Sequence, residues 1–256
     1  MLEKEIQKQV DDGLDYEAGQ ITVIELIEKY ISLKQGVRYN TKVGYQFVLN
    51  LVKKEEFGYR KISTIKVSDA KQWFMKLQKD GRGYSTITSV RGVIKPAFQM
   101  AYDEDAVRKN PFAFKLIDAV VNDSEQRIAL TDEQLEIWMD FIKNDNTYCK
   151  YYDEFVVLLE TGMRVSEFCG LTKKDLDFKN RRIRVDHQLV RTQDGKRYIE
   201  KTKTECGCRY IPMSDEVYES FYNILSNRKK QKKEVMIDGY AGFILLDKNG
   251  NPKVAM

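Results

Sequence analysis

The sequence predicts a mainly α chain with a small antiparallel β-meander, arranged as a four-helix bundle followed by a mixed α and β unit. Three observations carry this. Up to about residue 105, apolar residues recur at the three- and four-residue spacing of helices, in runs that open on capping residues. Between residues 181 and 212 the pattern changes to the alternation of strands. Charge is also unevenly divided. Residues 20–116 hold 18 Lys+Arg against 9 Asp+Glu, a net +9, whereas residues 1–19 come to −4 and residues 117–256 to −1.

The elements follow in chain order. Residues 3–12 read as a short amphipathic helix or the end of a linker, within an N-terminal segment 1–19. In "TVIELIEKYISL", Thr22 and Glu25 form a capping box ahead of Ile24, Ile27 and Ile31. "NTKVGYQFVLNLVKK" starts at Asn40, a favourable N-cap, and lines up Tyr45, Val48, Leu49 and Val52. "SDAKQWFMKLQKDG" runs from Ser68 to near Gly81, and a long helix then places Val90, Val93, Ile94, Ala97, Phe98 and Ala101 inward, with a bend expected at Pro96. Four helices with short connections make a bundle over residues 20–116. "VRKNPF" at 107–112 closes it, because a proline favours an extended chain before it.

Residues 117–127 are polar and weakly patterned and read as a linker, so a second domain spans 128–256. Its first helix is capped by Thr131 and Gln134, with Trp138, Phe141 and Ile142 facing in. A helix at 151–160 follows, then a turn at Thr161-Gly162 and a helix containing Arg164. "RRIRVDHQLVRT", a strand around Tyr198-Ile199 and a strand through Tyr210-Ile211 form the three-stranded meander. A helix runs from Ser214 to about Lys230, the basic run 228–233 reads as its solvated end, and "GFILL" at 242–246 reads as a buried strand.

Composition excludes several classes. No apolar run approaches the roughly 20 residues that a membrane span needs. The acidic start has no apolar signal core, so the expected location is cytoplasmic. Cys149, Cys169, Cys206 and Cys208 have no disulfide-framework spacing and His187 is the single histidine, so free thiols, no metal site and no cofactor are expected. The +9 segment has two readings, a lysine-rich solvated surface or a polyanion-binding face.

One residue does not fit its surroundings. Arg164 lies in "LLETGMRVSEFCGL" among Leu158, Leu159, Met163, Val165, Phe168 and Leu171. A guanidinium offers a planar fork that matches two phosphate oxygens and stays charged at any working pH. Glu167, three residues on, lies on the same helical face and is placed to hold it. A ligand-free Arg164–Glu167 pair is the alternative.

"TGMRVSEFCGLTKKDLDF", followed by a meander ending "KTKTECGCRYIPM", resembles the tyrosine-type site-specific DNA recombinases, or phage-type integrases, and within them the integrases of Gram-positive conjugative transposons. "SDAKQWF", "VRKNPF", "DHQL" and "IDGY" extend the resemblance over the whole chain. The resemblance implies that the bundle is a core-binding domain on double-stranded DNA, and that residues 128–256 belong to a catalytic domain forming a 3′-phosphotyrosine link. It implies that Arg164 binds the scissile phosphate, supported by Glu167. It makes Lys203 the general acid, with Lys201 the alternative on the same strand face. It points the second and fourth bundle helices at the major groove, which makes Thr41, Lys42, Tyr45, Ser85, Thr86, Arg91 and Lys95 candidate DNA contacts. It also implies a tetramer on two DNA sites.

The sequence departs from the family pattern in one respect. His187 is followed by Gln-Leu-Val, so there is no H-x-x-R, and no tyrosine follows such a motif. The expectation is a C-terminally truncated chain with half a catalytic site, inactive in cleavage by itself. A non-catalytic DNA-binding fragment or regulator is the alternative function.

Overall fold

The computed structural model describes residues 13–202, 205–228 and 234–255. The chain divides into two compact units, Met1–Arg127 and Ile128–Met256. The segment 3–12 lies outside the described residues.

The first unit is built on helices α1 (Val23–Ser32), α2 (Tyr39–Val52), α3 (Val67–Lys79) and α4 (Tyr84–Asp103). The capping box of α1 forms as expected: Thr22 Oγ1 accepts the Glu25 N–H, and the Glu25 carboxylate accepts the Thr22 N–H at 2.7 Å. The start of α2 corrects the expectation. Arg38, not Asn40, is the N-cap, and its carbonyl takes the N–H groups of Thr41 and Lys42. Asn40 therefore lies two residues past the cap position, inside the helix. In α3, Ser68 likewise falls inside the helix, and Asp69 supplies the cap by accepting the Lys66 N–H. Helix α4 continues past Pro96 to Asp103.

The core of this unit is aromatic. Trp73 stacks on Phe57 at 4.5 Å, and Phe112 packs against Phe74 and Phe98. Phe112 comes from the segment expected to close the bundle and is fully buried. The buried Asn110 fixes that segment by donating to the Lys95 carbonyl and accepting the Phe112 N–H, each at 2.9 Å. The stretch read as a linker is shorter than expected. Val120 is buried, Gln78 bonds both the N–H and C=O of Val121, and Asp123 accepts the Tyr84 N–H.

The second unit begins with α5 (Asp132–Asn144), capped by Thr131 and Gln134 as the sequence predicts. Ile142 is buried and Trp138 meets Phe155 edge-on at 4.9 Å, but Phe141 is 55% exposed rather than inward. Next come α6 (Tyr152–Thr161), Gly162 in the left-handed region at φ 59°, and the six-residue α7 (Val165–Gly170).

The β region differs from a simple meander. The strands are β1 (Leu176–Asp177), β2 (Arg182–Val185), β3 (His187–Arg191), β4 (Arg197–Lys201) and β5 (Arg209–Pro212). One sheet has the order β1-β2-β5, and β3-β4 is a separate hairpin. The expected first strand is thus cut at Asp186. Its front half pairs with β5, Ile183 opposite Ile211, while its back half starts the hairpin, with His187 opposite Lys201. Close packing explains the break. A Cβ on Gly170 would lie 2.9 Å from the Leu189 backbone nitrogen, so β3 runs directly over the end of α7.

Helix α8 (Asp215–Asn227) is capped by Ser214 and stops before Lys230, which lies outside the described residues. Of the basic run 228–233, read as a solvated helix end, residues 229–233 lie outside the described residues, and Arg228 is not solvated. Arg228 has its guanidinium buried, donating to the Phe243 carbonyl and pairing with Glu234. Phe243, Ile244 and Leu245 are buried as expected, but isolated bridges, Thr172–Phe243 and Leu246–Pro252, hold them instead of a strand.

Candidate functional site

The site is assembled around Glu167. Sequence context suggested a buried Arg164, and the structure reverses this. The Arg164 side chain is 74% exposed, while that of Glu167 is 4% exposed. The reason is local. Arg164 is the extended residue between α6 and α7, at φ −68° and ψ 143°, so it leaves the apolar face that its neighbours occupy. Glu167 accepts four hydrogen bonds, filling the acceptor sites of a carboxylate. Oε1 takes Arg164 Nη1 at 2.9 Å and Arg209 Nη1 at 3.3 Å; Oε2 takes the Arg164 N–H at 3.1 Å and Arg209 Nη2 at 2.8 Å. Burial pushes the Glu167 carboxyl up, but Arg209 and both groups of Arg164 outweigh it and hold it below the ordinary glutamate value. A charged, anchored carboxylate thus aims an exposed guanidinium outward. At six residues, α7 is too short for its dipole to add much.

Arg209 was not singled out in the sequence. It lies within the quoted "KTKTECGCRYIPM", ahead of Tyr210, Ile211 and Pro212. It opens β5 and also donates to the Gly207 carbonyl at 3.2 Å.

A second network ties α7 to the hairpin. Ser166 Oγ donates to Gln188 at 2.8 Å, and Gln188 Nε2 donates to Glu200 at 2.7 Å. The buried His187 ring lies with Nδ1 2.5 Å from Asp186 Oδ1 and Nε2 2.8 Å from the Gly170 carbonyl. Lys201 ends β4 opposite His187, whereas Lys203 and Thr204 lie outside the described residues.

In the first unit the candidate contacts divide. Thr41 and Lys42 are exposed on α2 and Ser85 on α4, while Thr86 and Lys95 are half-buried. Tyr45 packs on the core and meets Tyr30 edge-on at 6.5 Å. Arg91 turns inward, its guanidinium donating to the carbonyls of Phe112 and Phe114, so it clasps the closing segment to α4 instead of presenting itself at the surface.

Among the described residues, Asp175, Asp186 and His187 bring ligand-type atoms within 4.8 Å of one another. A cation already lies there. Arg184 Nη2 is 2.8 Å from Asp175, and its Nε is 3.5 Å from Asp186. Cys206 and Cys208 are exposed; Cys169 is buried, which pushes its thiol up to about 11.

Residues 129–255 match the Phage integrase family. The chain is 43% identical over 251 residues to the transposase from transposon Tn916 of Enterococcus faecalis, covering 98% of this chain and 62% of that relative. The transposase from transposon Tn1545 of Streptococcus pneumoniae matches at the same identity and coverage. The chain thus spans about three fifths of the length of these relatives. Among solved structures it is similar to the Tn1549 transposon integrase in complex with a circular intermediate DNA, with a TM-score of 0.88 at 43% identity over 92% of this chain and 74% of that one. It shares its fold, at a TM-score of 0.60 and 16% identity over 92% of this chain and 62% of that one, with a lambda integrase tetramer bound to a Holliday junction. The extent and identity of these matches, together with the Arg164–Glu167 pair in "TGMRVSE", establish that the chain belongs to the phage integrase family of tyrosine recombinases.

Proposed function

We propose that this chain is the core-DNA-binding and part-catalytic portion of an integrase that moves a mobile element by site-specific recombination. Residues 20–116 bind double-stranded DNA and residues 128–256 contribute to strand cleavage and rejoining. The observation that carries this reading is the outward, preorganised guanidinium of Arg164, anchored by a buried carboxylate. A donor held in place before reaction stabilises charge as it develops, and losing one costs roughly 10²–10³ in rate. In the reading adopted here, Arg164 binds the non-bridging oxygens of the scissile phosphate while a tyrosine attacks and the 5′-hydroxyl leaves. Lys203, or Lys201 two residues earlier, protonates the leaving oxygen as general acid. Assembly on DNA as a tetramer and a cytoplasmic location accompany this reading.

Within these 256 residues the single histidine is followed by Gln-Leu-Val, so no H-x-x-R is present. This favours a second, narrower reading for the polypeptide by itself, that of a DNA binder without cleavage. A polypeptide of this sequence, incubated with a nicked suicide duplex, is expected to give no protein–DNA adduct that survives boiling in detergent. Such an adduct would overturn the narrower reading. Failure to bind duplex DNA at all would overturn both.

A further inference from the structure

Among the buried titratable groups that the function leaves without a role is a histidine. His187 is 1% exposed, opens β3, and lies in neither the phosphate cluster nor the bundle. Both of its ring nitrogens are engaged, and both partners are acceptors: the Asp186 carboxylate at 2.5 Å and the Gly170 carbonyl at 2.8 Å. A neutral imidazole carries one N–H and one bare nitrogen, so it leaves a lone pair facing one of these oxygens. Only the imidazolium donates to both. A carbonyl cannot donate, which places one proton on Nε2 outright. The second proton belongs between Nδ1 and Asp186.

Charge in the surroundings points the same way. The groups facing the ring are Asp186, Asp175, Arg184 and the Tyr240 ring; Lys201, the register partner across the hairpin, is exposed, so solvent screens its charge from the cluster. The Asp175 carboxylate is fully buried, and Arg184 bridges it to Asp186. Two carboxylates and one guanidinium leave one negative charge in a part-buried cluster, and unpaired buried charge is costly. An imidazolium brings the four residues to neutrality. The Tyr240 ring packs against His187, tilted by 40° with 4.3 Å between centroids.

We propose that His187 is a buried imidazolium that donates through both ring nitrogens and clamps the β3-β4 hairpin to Gly170, the last residue of the helix that follows Arg164, making it a positioning residue for Lys201 at the end of β4. Gly170 makes the clamp tight, because its missing Cβ lets β3 approach to contact distance. Lys201 is the register partner of His187, so fixing the ring fixes the strand position of Lys201. The use of the clamp rests on the function proposed above; the protonation of the ring does not.

The single histidine makes the test direct. Untagged protein labelled with ¹⁵N only at histidine gives one imidazole, read by NMR at neutral pH without DNA. The expected spectrum has both ring nitrogens protonated and both ring protons slow to exchange. One bare nitrogen would overturn the imidazolium. In Asp186→Asn the Nδ1 proton should be lost and the Nε2 proton kept; a ring still doubly protonated there would show that Asp186 does not hold the charge. Positioning is read separately by amide hydrogen exchange. His187→Phe removes both donors and should speed exchange of the Leu189–Arg191 and Arg197–Ile199 amides by roughly tenfold or more relative to the β1-β2-β5 sheet. His187→Gln, which retains one donor, should recover part of that protection. Wild-type hairpin protection in either variant would overturn the positioning role. If His187→Phe does not fold, the Gln variant and the labelled wild type still decide the matter. Failure of DNA binding would leave the ring's state standing, and a bare ring nitrogen would leave the DNA reading intact.

Discussion

Glu167 is the residue on which the site turns. Its carboxyl is buried, charged and shared by Arg164 and Arg209. Because its folded pKa is depressed, its stabilisation is present above the unfolded value of about 4.3 and is lost as pH falls through the lower folded value. Arg209→Ala removes a forked partner from a buried carboxylate and should cost about 1–3 kcal/mol at pH 7. Urea unfolding should show that deficit shrinking in acid, where the wild type also loses the charge. An equal deficit at both pH values would make Arg209 a packing residue. Arg91 gives a contrasting prediction. Its guanidinium serves the carbonyls of Phe112 and Phe114, so Arg91→Ala should lower stability by about 1–3 kcal/mol and leave the salt dependence of DNA binding unchanged. A shallower salt slope would return it to the DNA-contact set. At this scale the sequence was legible where chemistry is local. Thr22 with Glu25 and Thr131 with Gln134 cap as their spacing demands. Arg164 and Glu167 were found by motif, but which of the two is buried depends on the extended backbone between two helices, which composition does not encode. Arg209 joins Glu167 across 42 residues, a separation beyond the reach of periodicity.

Among the elements, the helices were legible and the strand pairing was not. The four bundle helices have strong apolar stripes, and Asn40 and Ser68, side chains able to cap, each lie two residues past the N-caps Arg38 and Lys66, just inside the helix. Alternation correctly marked 182–191 as extended, but it cannot report that β2 pairs with β5 while β3 turns away to pair with β4. That division arises from tertiary contacts at Gly170 and His187. Gly170→Ala should therefore act on one element. The new Cβ meets the Leu189 and Gln188 backbone, which cannot yield as a flexible side chain would, at a cost of about 1–3 kcal/mol. Hydrogen exchange should locate the loss in β3-β4, with β1-β2-β5 protection retained. A uniform loss over the unit would contradict a separately docked hairpin.

At the scale of the whole molecule, affinity and chemistry are assigned to different parts of the chain. In the proposed function the net +9 of residues 20–116 supplies the charge that duplex DNA attracts, with Lys42 exposed on α2. If roughly six phosphates are neutralised, log affinity falls with log salt at a slope of about −5. Arg164 lies outside that segment and, in the proposed function, meets a single phosphate. The measurement that tests this division most directly is a salt titration of duplex binding for the wild type, Lys42→Ala and Arg164→Ala. The account predicts weaker binding and a slope shallower by about 1 for Lys42→Ala, with well under a tenfold loss for Arg164→Ala. Equal losses of affinity and slope in the two variants would contradict it, because Arg164 would then be one generic phosphate contact among several.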